Sequence, residues 1–171
     1  DFSMNAKRFY DALLTLENYD DQELLTELLS GPDVVEVGTG SAYIETLGGN
    51  DRFYVDSLFS NEGPVTLDGG DGLDIISFVS PREDFQQTVF PSYVSVGLEG
   101  RSSRTLSLYN IERLEFSNSM VAFDTSGIGG QAYRIYKAAF DRVPDSGGLG
   151  YWIAQMDEGM DMVEVAARFI N

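Results

Sequence analysis

The stretch GGDGLDIIS at residues 69–77 decides how the rest of the chain is interpreted. It fits the pattern G-G-x-G-x-D-x-U-x, where U is a large apolar residue, at every specified position. The glycines allow a tight turn with positive φ, which a Cβ atom would oppose. Such a turn directs backbone carbonyl oxygens and the Asp74 carboxylate toward a common point, and hard oxygen ligands suit Ca²⁺. Ile76, two residues after the Asp, is predicted to face inward and to anchor a short strand.

The same spacing recurs upstream in steps of nine residues, marked by Gly31, Gly40 and Gly49. The acidic and the apolar positions of these three units are filled by Asp33, Ala42 and Asp51, and by Val35, Ile44 and Phe53. An interruption at residues 56–68 separates them from the fourth unit. The spacing resembles that of a β-roll, in which two units make one full coil; this resemblance implies that Asp33 and Asp51 share one side and that Ala42 lies on the other. The side taken by Asp74 is left open.

These residues resemble the RTX (repeats-in-toxin) calcium-binding repeats of secreted bacterial proteins, over roughly residues 31–55 and 69–77. Leu28 and Leu29 stand where the family has glycines, and Ala42 where it has Asp. The resemblance implies a parallel β-roll, Ca²⁺ as the bound ion, an extracellular location and export by a type I system. It also implies a ligand set of carboxylates and turn carbonyls: Asp33, Asp51, Asp74 and Asp71, with Gly31, Gly49, Gly70 and Gly72, and Asp68 as a further helper. A metal-free roll, in which the Asp residues only cap turns, is the alternative.

Composition excludes several classes of function. The 171 residues carry a net charge of −17, with 28 acidic and 11 basic side chains, which excludes nucleic acid as a partner. The charge also fits a solvated surface adapted to salt. The chain has no Cys and no His, which excludes Ser-His-Asp and Cys-His catalysis and the common zinc sites. No apolar run reaches the length of a membrane span. Because the sequence begins with Asp, we expect it to be a piece of a longer protein.

The remaining segments predict an α+β fold, in which a short degenerate parallel β-roll and antiparallel strands are flanked by N- and C-terminal helices. Residues 1–30 show the apolar spacing of a helical segment, and residues 84–124 alternate as antiparallel strands. Residues 126–171 show helix spacing again, with characteristic residues at Tyr136, Phe140, Arg142, Pro144, Asp145, Gly148, Leu149, Tyr151, Trp152 and Ala166. With these residues the segment resembles an uncharacterised helical domain family of secreted RTX proteins; we expect that domain to be incomplete. The predicted domains are 1–30, 31–125 and 126–171.

The expected function is a non-catalytic, calcium-binding structural or interaction region of a larger secreted protein. Calcium ions are the expected partner, with a cell-surface glycan or protein as a further one, and neither nucleic acid nor a membrane span is expected. The alternative is an adhesion or glycan-binding module whose recognition surface is formed by aromatic residues: Tyr43, Phe53, Tyr54, Tyr93, Tyr151 and Trp152. A third hypothesis, an enzyme with paired carboxylates, has no two acids that the sequence places across a cleft.

Overall fold

The computed structural model describes residues 29–37, 42–55 and 63–170. The helical segment predicted for residues 1–30 lies outside these ranges except for its last two positions. The described residues hold three helices and ten strands in two sheets, a mixed α and β fold. The chain divides into two compact units, Asp1–Asn118 and Ser119–Asn171.

Nine of the ten described strands have four or five residues, and the eighth has nine. Their bounds are β1 (Val34–Val37), β2 (Ala42–Glu45), β3 (Arg52–Val55), β4 (Val65–Asp68), β5 (Ile75–Phe78), β6 (Phe85–Val89), β7 (Val94–Leu98), β8 (Arg101–Tyr109), β9 (Arg113–Phe116) and β10 (Ser119–Ala122). A single 3-10 turn, Arg82–Asp84, precedes β6.

The first five strands of the first unit alternate between its two sheets. One sheet runs β1-β3-β5-β9, and all its pairs are parallel. The other runs β2-β4-β8-β7-β6, parallel from β2 to β8 and antiparallel from β8 to β6. Each coil of the chain therefore adds one strand to each sheet.

Residues 84–124 were predicted to form antiparallel strands. The β6–β7 and β7–β8 pairs confirm this prediction. It is wrong for the other pairs that this segment forms within the first unit. β8 also pairs parallel with β4, and β9 pairs parallel with β5. The β6–β7 hairpin is an insertion between two strands of the coil. Both arrangements require the same alternation of apolar and polar residues, which is why the pattern did not separate them.

The core of the first unit lies between its two sheets. The apolar positions of the four nine-residue units are all buried: Val35, Ile44, Phe53 and Ile76. Three phenylalanines close one end of this core, where Phe78 stacks on Phe116 with ring centroids 5.0 Å apart and Phe85 packs against both. The predicted inward direction of these apolar positions is confirmed.

The second unit contains the helices α1 (Ile128–Phe140), α2 (Ser146–Asp157) and α3 (Met162–Ile170). They bury Ala132, Ile153, Met156 and Val165. None of the described helices is both long enough and apolar enough to cross a bilayer.

A cluster of polar side chains connects the helices α1 and α2. Asp145 caps α2 by accepting the Gly148 N–H at 2.7 Å, and its other oxygen accepts the Tyr136 hydroxyl at 2.8 Å. Arg142 donates to the same hydroxyl at 2.8 Å. These contacts give Tyr136, Arg142 and Asp145 a structural role in joining the two helices.

Candidate metal centre

Three glycines stack where the chain enters successive strands of the first sheet. We call Gly31, Gly49 and Gly72 the glycine column. Gly49 and Gly72 have φ of +120° and +145°, which side chains rarely adopt. A Cβ atom on Gly49 would overlap the Gly31 carbonyl oxygen, and one on Gly72 would overlap that of Gly49. Glycine is therefore required at these two positions both by conformation and by space.

Two residues after each of these glycines, the chain places an acid directly above the acid of the next coil. The Asp33 N–H donates to Asp51 Oδ1 at 2.8 Å, and the Asp51 N–H donates to Asp74 Oδ1 at 2.9 Å. The Asp74 N–H donates to Glu112 Oε2 at 2.9 Å. We call Asp33, Asp51, Asp74 and Glu112 the acid column. The predicted sharing of one side by Asp33 and Asp51 is confirmed, and Asp74 joins the same side.

The second oxygen of each Asp in the acid column has no protein partner. Asp33 Oδ2, Asp51 Oδ2 and Asp74 Oδ2 are buried atoms that form no hydrogen bond. Asp51 and Asp74 are 1% and 0% exposed. Leaving such an atom without a partner costs about 1–3 kcal/mol, and more if the group is charged. A proton or a cation at these atoms would remove that cost.

Within the acid column, the surroundings of Asp74 and Asp33 favour the neutral form of the carboxyl group. Burial raises the pKa of Asp74 to about 7; the hydrogen bond from the Asp51 N–H opposes this shift, and the charges of Asp51, Glu112 and Asp68 add to it. Burial and the neighbouring charge of Asp51 raise the pKa of Asp33 as well. Repulsion between neighbouring carboxylates therefore adds to the effect of burial at Asp33 and at Asp74.

The remaining predicted ligands lie outside the acid column. The Asp71 side chain is exposed, while its backbone donates to the Leu47 carbonyl and accepts the Gly49 N–H. Gly70 has φ of +78° and lies against the Leu47 carbonyl, so it is a turn residue outside the glycine column. Asp68 Oδ1 accepts from the Gly70 N–H and from Asn110 Nδ2.

Glu112 is a member of the acid column that the sequence did not reveal. The Glu112 carboxylate accepts the Asp74 N–H, and the Arg113 guanidinium donates to the Glu112 carbonyl at 3.0 Å. A signal was present in the sequence. Glu112 precedes the buried Leu114 by two residues, as Asp74 precedes Ile76.

The acid column could supply only part of the ligand set of a hard cation. Within residues 29–37, 42–55 and 63–170, no three acidic side chains are grouped so that they could hold one ion. An ion here would take carboxylate oxygens from at most two coils, and backbone carbonyls would supply the other ligands. The unpartnered oxygens and the all-oxygen chemistry suit Ca²⁺, which tolerates irregular coordination better than Mg²⁺ does.

No family model and no curated protein matches the chain. Among solved structures, the extracellular lipase LipA from Serratia marcescens is similar over 50% of this chain and 13% of the lipase, at 19% identity and a TM-score of 0.43. The chain thus spans a small part of that protein.

Proposed function

We propose that this chain is a calcium-binding structural region of a larger secreted protein, with a parallel β-roll as its first unit. The observation that carries the proposal is the acid column, in which two wholly buried Asp side chains each keep one oxygen without a partner. Buried charges in proteins are paired or bind metals. The strand alternation and the stacked glycine turns support the same proposal.

The residues that would hold an ion are two successive members of the acid column, Asp33 with Asp51 or Asp51 with Asp74, through their Oδ2 atoms. Carbonyl oxygens of the stacked turns would supply the other ligands. Bound Ca²⁺ would supply the positive charge that the column lacks. The Oδ1 atoms of Asp51 and Asp74 already accept a backbone N–H from the preceding coil, which orients these two carboxylates before an ion arrives. Because that orientation exists only in the coiled chain, binding free energy becomes folding free energy.

This coupling suits a protein that folds after export. Where Ca²⁺ is scarce, the carboxylates of the acid column repel one another and weaken the coil. Where Ca²⁺ is abundant, the same groups stabilise it. The role requires no catalytic group, and we propose that this region is not an enzyme in itself.

Saturating Ca²⁺ is expected to raise the melting temperature of the chain. At 100 times the dissociation constant, one site adds about 2.7 kcal/mol, or roughly 5–10 °C for a chain of this size. Differential scanning calorimetry in EDTA, in Ca²⁺ and in Mg²⁺ measures the effect. Equal melting temperatures in EDTA and in Ca²⁺ would refute a folding-linked calcium site.

The variant Asp51→Asn locates the effect in the acid column. It keeps an oxygen that can accept the Asp33 N–H but removes the charge, so we expect it to lose most of the stabilisation by Ca²⁺. The matched control is Glu99→Gln, which removes one exposed charge in the β7–β8 turn and should keep the full response. An undiminished response in Asp51→Asn would place the ion elsewhere.

A further inference from the structure

The outward face of the second sheet carries a row of hydroxyl groups that crosses all five strands. Directly paired positions place Tyr43 beside Thr66, Thr66 beside Ser107, Ser107 beside Ser95 and Ser95 beside Thr88. We call these five residues the hydroxyl row. All five are half-buried or exposed. Neighbouring strands lie about 4.8 Å apart, so the row repeats at that step.

Three stacked aromatic rings stand beside the hydroxyl row. Phe90 stacks on Tyr93 with centroids 4.5 Å apart and planes 9° apart, and Tyr93 stacks on Tyr109 at 5.4 Å and 24°. We call these residues the aromatic stack. Phe90 is 41% exposed, and the two tyrosines are half-buried. Rings that hold one another in place lose little conformational freedom when a ligand packs against their edges and outer faces.

Two carboxylates continue the line of the aromatic stack across the sheet. Tyr109 is paired with Asp68, and Asp68 with Glu45. Asp68 is oriented by the Gly70 N–H and by Asn110, and Glu45 accepts the Tyr43 hydroxyl at 3.1 Å. Like charges on directly opposite residues are destabilising, and hydroxyl donors from a ligand would relieve that repulsion.

From this arrangement we infer that the outward face of the second sheet binds a neutral polysaccharide, which lies across the strands. Aromatic rings pack against the C–H faces of sugars, while hydroxyls and carboxylates bind sugar hydroxyls. Neither the hydroxyl row nor the aromatic stack contains Lys or Arg, and the net charge of −17 repels anionic glycans. The spacing between neighbouring strands is close to the length of one sugar residue in an extended β-linked chain. Successive sugars would therefore lie over successive hydroxyl groups of the row.

This surface differs from the recognition surface predicted from the sequence. Phe53 is 0% exposed and belongs to the core, so its proposed role in recognition is wrong. Tyr54 lies on the outward face of the first sheet, and Tyr151 and Trp152 lie in the second unit. Of the six predicted aromatics, only Tyr43 and Tyr93 lie on this face.

Titration calorimetry of the full chain with neutral hexaoses tests the inference, with cellohexaose, xylohexaose, mannohexaose and chitohexaose as probes and a hyaluronan hexasaccharide as the anionic control. We expect at least one neutral probe to bind with a dissociation constant of about 0.1–1 mM, and hyaluronan not to bind. Tyr109→Ala should weaken binding about tenfold, and Tyr54→Ala, at an exposed tyrosine on the other sheet, should leave it unchanged.

Phe90→Ala, at the exposed end of the aromatic stack, replaces Tyr109→Ala if that variant fails to fold. Absence of binding to every neutral probe would overturn the inference, as would equal losses in the stack variant and in Tyr54→Ala. The face contains none of the acid column, so each titration is run in Ca²⁺ and in EDTA. A normal calcium response without glycan binding would refute this inference and leave the proposed calcium site standing.

Discussion

Gly72→Ala is expected to remove most of the folding stability of the first unit. At φ of +145° an alanine is strained, and its Cβ atom would overlap the Gly49 carbonyl oxygen. Relieving that overlap requires two adjacent coils to separate, which also pulls Asp51 away from Asp74. We expect a loss of roughly 4 kcal/mol in the free energy of unfolding, measured by urea denaturation.

Gly100→Ala is the matched control for this prediction. Gly100 also has positive φ, +73°, but nothing lies within 4 Å of the position that its Cβ atom would take. The strain alone should cost about 1–2 kcal/mol. Equal losses in the two variants would show that the close stacking of the glycine column contributes nothing to stability.

The calcium-free chain is expected to become less stable as the pH rises from 5 to 8. Burial raises the pKa of Asp74 from its ordinary value to about 7 in the folded chain, so the folded state holds a proton that the unfolded state has released. The stabilisation of the folded state by this proton is complete below the ordinary pKa of an aspartate and is lost as the pH rises through about 7. The raised pKa of Asp33 acts in the same direction. We expect the two groups together to lower the free energy of unfolding by an amount on the order of 2 kcal/mol between pH 5 and 8.

Urea denaturation in EDTA at a series of pH values measures this dependence. Asp74→Asn should flatten most of it, whereas Glu99→Gln should keep it. In saturating Ca²⁺ the stability should instead increase with pH, because protons compete with the cation for the same carboxylate oxygens. A calcium-free chain that gains stability between pH 5 and 8 would contradict the burial of an uncompensated carboxylate at Asp74.

The sequence predicted the repeating part of the first unit well because its signals are local. Glycine, acid and apolar residue recur at fixed spacing, so the buried positions of Val35, Phe53 and Ile76 and the stacking of Asp33 on Asp51 followed from the pattern. The side of Asp74 could not be predicted, because the interruption at residues 56–68 hides how many coils the chain makes before it.

The later strands of the coil were predicted incorrectly for a different reason. The β6–β7 hairpin separates β5 from β8, and neither β8 nor β9 follows a glycine-rich turn of the repeat type. Their alternation fits either sheet arrangement equally well, and the observed registers of β8 with β4 and of β9 with β5 show the parallel one. Glu112 was missed for the same reason, since no glycine precedes it at the expected step.

Two-dimensional ¹H–¹⁵N NMR of the chain, titrated with Ca²⁺ from an EDTA-treated start, tests most directly whether the acid column binds the ion. The amides of Asp33 and Asp51 donate to carboxylates whose other oxygens lack partners, so they report on any ion that binds there. We predict saturable shifts at Asp33, Asp51, Asp74 and the glycines beside them, and none in α1 to α3. Shifts that do not saturate, or that spread evenly over exposed acids, would show that the column binds no calcium.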